Sequence, residues 1–290
     1  MRAFARVVAR ADGRGGTTLT ELRGETPLLL RQTPGDGRVV TVYVVGGAAG
    51  PLAGDDLRLE IDVGPGAAVR VHSVAASVAL PGRPGAVSRM AVRAVVHDGG
   101  ALHWLPEQLV AAAGCAHLAE SRIELAPGAR LSWRDEVICG RYGETPGAAV
   151  VHTRVDYDGR PLLRQSLAVG PGAPGWAGPA VLGGAAATGS LLVVDPSRPA
   201  EPAMVDGTLA RLPLAGGPAT LWSATAPDAH TLRAHLGDAG GRERPGLIPL
   251  GRAPSYTPGV RKGPFLARSG HGLNPDAVMR HLGPAGSECS

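Results

Sequence analysis

Along much of this chain apolar residues fall two apart, the spacing that puts one set of side chains on a single face of a β-strand. Leu57, Leu59, Ile61 and Val63 are spaced in this way, as are Val92, Ala94 and Val96, and then Ile123 and Leu125. Each run meets a glycine turn and a second apolar run: Gly64-Pro-Gly-Ala-Ala-Val-Arg-Val71, Asp98-Gly-Gly-Ala-Leu-His-Trp104 and Ala126-Pro-Gly-Ala-Arg-Leu-Ser-Trp133. Strand, glycine turn, strand recurs about every thirty residues, as in stacked units that bury their faces on one another. Three ordinary hairpins would give the same local pattern. Strands are predicted at 57–63, 69–71, 92–96, 102–105 and 131–137, with Pro106 ending the fourth because it has no N–H to donate. Trp104 and Trp133 hold equivalent positions in the repeat, which predicts packing rather than stacking on a substrate.

Flanking segments continue the β pattern. Residues 3–9, 17–23 and 26–31 read as short strands, and the β-branched run 39–45 as a strand buried on both faces. Asp158-Gly159 between the alternating runs 151–157 and 162–169 predicts a tight hairpin. Further strands are expected at 190–194, 208–212 and 220–223. One short helix is expected after Thr225 as cap, with Pro227 in its first turn, Leu232 and Leu236 on one face and Gly237 as terminator. A second is expected near 275–282, after Asn274 and Pro275. The fold class is therefore mainly β, a β-solenoid-like stack or distorted sandwich with one or two short C-terminal helices. A β domain over 1–240 is followed by a Gly/Pro/Arg-rich extension over 241–290, expected to be flexible outside its short helix.

Composition narrows the function classes. Forty-three glycines and 26 prolines suit a turn-dense β protein, and 44% hydrophobic content suffices for a core. The formal net charge of +4 resides wholly in the extension, where six arginines and Lys262 face three acids. A neutral body with few aromatics excludes a nucleic-acid platform. Cys115, Cys139 and Cys289 form no CxxC pair, which fits a reducing compartment. With no signal-peptide pattern and no apolar run long enough to span a bilayer, a cytoplasmic protein with no membrane partner is expected.

Catalytic chemistry is hard to find. The glycine-rich stretch 46–54 is followed by a strand and by no Gly-Lys-Ser/Thr, so it reads as a wide turn rather than a phosphate cradle. Ser73 beside His72, with Asp55 as an acid, is the one hydrolase arrangement to consider, and no nucleophile elbow supports it. The adjacent acids Asp55-Asp56 and Asp135-Glu136 read as solvated turns or strand edges. Cys115 and His117 are the tightest soft-ligand group, two apart as on one strand face, against the plainer reading of a half-buried cysteine near a surface histidine. The loops 106–108 and 140–144 each follow a repeat strand, so stacked repeats would gather them on one rim. Glu107, Gln108, Arg141, Tyr142 and Glu144 are the candidate partner-binding residues there. A plainer account pairs Arg141 with Glu107 or Glu144 as a surface ion pair.

Gly46-Gly47 with Gly54-Asp55, Val63-Gly-Pro-Gly-Ala67, Ala75-Ala76, Leu102-x-Trp104-Leu-Pro106, Gly128-Ala129, Gly140-Arg141 with Gly143-Glu144, and Asp158-Gly-Arg-Pro161 form an ordered set. In that order, over roughly 39–236, the chain resembles the urease accessory protein family UreD, also called UreH. The resemblance implies a non-enzymatic chaperone of largely β fold that serves nickel insertion. Its implied partners are apo-urease, a helical UreF-like protein and a nickel-carrying UreG-like GTPase, with no permanent cofactor and only transient nickel. His72, His103, Cys115 and His117 are then the candidate nickel contacts. The family's Thr-Thr, Lys-x-Tyr and acidic residue around this region are replaced here by His72-Ser73, Val78-Ala79-Leu80 and His103, so their roles do not carry over. A β-repeat binding module without metal is the alternative reading.

Overall fold

The structure is a computed structural model that describes residues 1–35 and 37–239. The first strands are β1 (Arg2–Ala11), β2 (Thr17–Arg23), β3 (Leu28–Thr33) and β4 (Val40–Gly46). Repeating units follow: β5 (Asp56–Val63), β6 (Ala68–Ser73) and β7 (Ser77–Ala79), then β8 (Ser88–Val96), β9 (Ala101–Trp104) and β10 (Leu109–Ala111), then β11 (Ala116–Leu125) and β12 (Arg130–Ile138). The chain continues through β13 (Ala148–Tyr157), β14 (Arg160–Val169), β15 (Ala187–Val194), β16 (Met204–Asp206), β17 (Leu209–Leu214), β18 (Ala219–Ala226) and α1 (Ala229–Ala239).

The repeats are coils rather than hairpins. Each glycine turn carries the chain from one sheet to the other, so β5, β8 and β11 lie side by side in a seven-stranded sheet A of order β14-β13-β11-β8-β5-β1-β2. Their successors β6, β9 and β12 lie in an eleven-stranded sheet B, whose path is β16-β17-β18-β15-β12-β9-β6-β4-β3 with β7 and β10 beside it. Pairing between successive coils is parallel in both sheets, as from β5 to β8 to β11 and from β6 to β9 to β12. Antiparallel partners close the ends of the stack: β2 and β14 in sheet A, β3 and β15 in sheet B. The register aligns Ala68, Ala101 and Arg130, which places Gly66, Gly99 and Gly128 at one corner, offset by one residue in the middle repeat from the alignment suggested by Gly-Ala. Gly66 and Gly99 both turn with φ +67°, where a side chain would be strained, and a Cβ at Gly128 would lie 1.9 Å from Asp98 Oδ1.

The core lies between the sheets and consists of rows, one residue from each coil. Val7, Ile61, Ala94, Ile123 and Val155 form one row in sheet A, all buried. Val42, Val71, Trp104, Trp133, Leu192 and Leu221 form the facing row in sheet B. The two tryptophan rings stack at 5.0 Å and 15°. A second cluster on the outer face of sheet B packs Leu232 and Leu236 of α1 against Leu191, Trp222 and Ala224.

Several sequence expectations need correction. The strand over Val40–Gly46 is buried on one face only, because it lies near the β3 end of sheet B while α1 covers β15 and β18. Thr225 belongs to β18, paired with Thr188, so the helix is capped instead by Asp228, whose Oδ1 accepts from Thr231 N at 2.7 Å. Gly237 lies inside the helix rather than ending it. Asp158 and Gly159, at φ 51° and 70°, make the expected tight turn between β13 and β14. The helix expected near 275–282 and the extension over 241–290 fall outside the described residues.

Candidate partner-docking site

Leu105 and Pro106 follow β9, and their carbonyls face two neighbouring strands. His72 Nδ1 donates to Leu105 O at 3.1 Å, and Arg134 donates to Leu105 O and Pro106 O at 3.2 and 2.9 Å. Glu107 N donates to Ser73 Oγ at 2.8 Å, so β6 and β12 hold the loop by its backbone. Its side chains are held from α1. Arg233 donates from Nη1 and Nη2 to the two Glu107 oxygens at 3.3 and 3.2 Å, and from Nε to Glu136 at 2.8 and 3.0 Å. Gln108 completes the group when its amide oxygen faces Arg233 at 3.0 Å and its nitrogen faces Glu107 at 3.2 Å.

The resulting cluster has two arginines and two carboxylates, with the Glu136 side chain only 1% exposed. Burial opposes the charge on Arg233, but its hydrogen bonds to Glu136 and Glu107 outweigh burial and hold its pKa above the ordinary guanidinium value. Burial dominates at Arg134 and pulls its pKa down. Sequence reading missed Arg134, Glu136 and Arg233. The visible signal was Arg233 beside Leu232, a cation on the packing side of an otherwise apolar helix face.

The 140–144 loop is built differently. Gly140 turns at φ +88° and Arg141 Nε donates to Glu144 Oε1 at 2.8 Å. Glu144 also accepts from Ala113 N and Arg141 N, both at 3.2 Å. The Arg141 hydrogen bond is the main reason its pKa drops to about 2. Arg141 therefore pairs with Glu144, not Glu107, and the backbone partner of this loop is Ala113 after β10. These contacts fix the loop while leaving the Tyr142 side chain fully exposed at its tip. The two loops are thus anchored separately, 106–108 by α1 and 140–144 by its own ion pair.

The candidate nickel contacts lie in four settings. His72 stacks on Tyr43 at 5.4 Å, and burial, against the Leu105 hydrogen bond, lowers its pKa. His103 Nδ1 lies 3.2 Å from Ser132 Oγ. The Cys115 thiol points to Ala148 O at 3.7 Å, and burial pushes its pKa up to about 11. His117 is buried rather than near the surface, with Nδ1 2.9 Å from Ser88 Oγ. Ser88 Oγ also lies 3.2 Å from Ala116 O, so its single proton serves either that carbonyl or His117 Nδ1. Among the described residues no group of three or more His, Cys, Asp or Glu side chains is placed to hold a metal ion.

The hydrolase arrangement does not assemble. Ser73 Oγ donates to Ala75 O, His72 Nδ1 is occupied by Leu105 O, and Asp55 accepts from the Met1 ammonium at 2.5 Å and from Leu52 N at 2.9 Å. Asp55 is buried, contrary to the solvated turn expected for it. The same correction applies to Asp135 and Glu136. Asp135 turns inward and accepts from Trp133 Nε1 at 3.0 Å and Thr153 Oγ1 at 2.7 Å, while burial pushes its carboxyl pKa up.

Among the described residues no helix is long and apolar enough to cross a membrane. A family model described as UreD urease accessory protein matches residues 1–248. The chain is 48% identical over 242 residues to the urease accessory protein UreD of Streptomyces avermitilis, covering 82% of this chain and 96% of that protein. Identity to the urease accessory protein UreD 3 of Streptomyces griseus is 49% over 246 residues, covering 82% of this chain and 95% of that protein. For UreD of a Parafrankia species it is 46% over 263 residues, covering 83% and 88%. With the matched region spanning both sheets, α1 and the two anchored loops, the chain belongs to the UreD family of urease accessory proteins.

Proposed function

We propose that this protein is a non-enzymatic scaffold for nickel insertion into apo-urease, acting in the cytoplasm where urease is assembled. It recruits a UreF-like protein and, through it, a UreG-like GTPase. Family membership supports the urease link, and one observation carries the docking role: a fully exposed Tyr142 on a loop immobilised by Arg141 and Glu144. An exposed aromatic on a rigid loop loses little freedom on binding, which suits an interface anchor. The 106–108 loop, pinned by Arg233, supplies a second preorganised surface. Nickel is cargo in this reading. It meets the protein transiently at single imidazoles such as His72, whose Nδ1 donates to Leu105 O and leaves Nε2 with the lone pair.

The test is co-purification of the protein with apo-urease and the UreF-like protein, comparing wild type with Tyr142→Ala, Arg141→Ala and Glu107→Ala. Tyr142→Ala should weaken partner binding by about 2 kcal/mol, roughly thirtyfold, at unchanged melting temperature. Full binding and full urease activation by all three variants would remove both loops from the interface.

A further inference from the structure

The outer face of sheet A carries an arrangement that the fold does not explain. Register places Arg93 opposite Arg122, Arg122 opposite Arg154, and Arg154 opposite Arg164, so four arginines stand in one row across β8, β11, β13 and β14. Like charges directly opposite on neighbouring strands destabilise a sheet. Nearby acids relieve only part of the row. Glu124 lies 3.3 Å from Arg93 and 3.4 Å from Arg122, and Asp156 pairs with Arg164. Arg154, exposed between two other arginines, has no hydrogen bond or ion pair among the described residues. No helix of the described chain covers this face, whereas α1 packs on the other sheet.

We propose that this row docks an acidic helix of a partner protein, with carboxylates on successive turns set between the arginines. Spacing selects the helix. Strands lie about 4.8 Å apart, so the row spans about 14 Å. Carboxylates at i, i+4, i+7 and i+11 of a helix span about 16 Å, a mismatch that arginine side chains can absorb. Same-face residues of an extended acidic strand repeat about every 6.7 Å and lose register by the second step.

The experiment uses the full-length protein and fluorescence anisotropy with a synthetic alanine-rich helix carrying glutamates at those four positions. The same helix with glutamines and an oligothymidylate serve as the other probes. We expect the glutamate helix to bind, the glutamine helix not to bind, and Arg154→Glu to weaken binding about tenfold or more. Arg154→Gln should have an intermediate effect. Arg14→Glu, which changes net charge equally on an exposed turn remote from the row, should change binding by less than about twofold. Equal losses from Arg154→Glu and Arg14→Glu would reduce the effect to net charge and overturn the proposal. Absence of glutamate-helix binding, or tighter binding of the oligothymidylate, would also overturn it.

Discussion

His117 shows how a single side chain can be legible in position and misleading in setting. Its two-residue spacing from Cys115 was visible, but the strand that buries it against Ser88 comes from the preceding coil and is not local in sequence. Burial lowers its pKa from 6.5 to about 4. The unfolded chain therefore takes up this proton near pH 6.5 while the native state resists until about pH 4. Stability from this residue is fully present above pH 6.5 and is lost as pH falls through that window, by a total of about 3 kcal/mol. Denaturant unfolding from pH 7.5 to 4 should show this slope, and His117→Asn, whose amide can still donate to Ser88, should flatten it by about one proton. Asp135 was misjudged for a related reason: an acid beside another acid reads as solvated until Thr153 and Trp133 are seen to hydrogen-bond it.

At the scale of elements, the alternating runs and glycine corners located the central strands to within a few residues, because period and turn chemistry act locally. The three-residue strands β7, β10 and β16 carry too little pattern to be recognised; β10 and β16 form beside the longer β12 and β17, and β7 beside β10. The helix was found by Leu232 and Leu236, but its start was misplaced, since pairing with β15 retains Thr225 in the sheet. Arg233 links this helix to both Glu136 and Glu107. Arg233→Ala would leave the buried Glu136 with Arg134 Nε at 3.8 Å as its nearest cation and should cost about 3 kcal/mol in denaturant unfolding. Replacing both members, Arg233→Met with Glu136→Leu, should recover part of that loss, because Glu136 is no longer buried without its partner while Arg134 keeps only the Leu105 and Pro106 carbonyls.

For the whole molecule, the repeat could be seen in sequence but the choice between hairpins and coils could not, since both have the same local pattern and differ only in which strand pairs with which. Once coiled, each inner rung is paired on both sides, whereas β2, β14 and β16 are each paired on one side only among the described residues. Native-state hydrogen exchange should therefore be slowest in β5, β8 and β11 and fastest in the β16–β17 hairpin, with β2 and β14 between them. Uniform protection across the stack would mean that it opens only as a single unit.

Trp104 and Trp133 lie on successive coils, 5.0 Å apart and nearly parallel. Indoles so placed couple through their transition dipoles, and the sign and size of the circular dichroism that results are set by the angle between those dipoles. That coupling depends on the distance and angle between one coil and the next, so it changes when neighbouring coils slip even if both strands persist. The protein thus carries an intrinsic spectroscopic gauge of coil-to-coil registry, readable without a label and without interference from any partner that lacks such a pair.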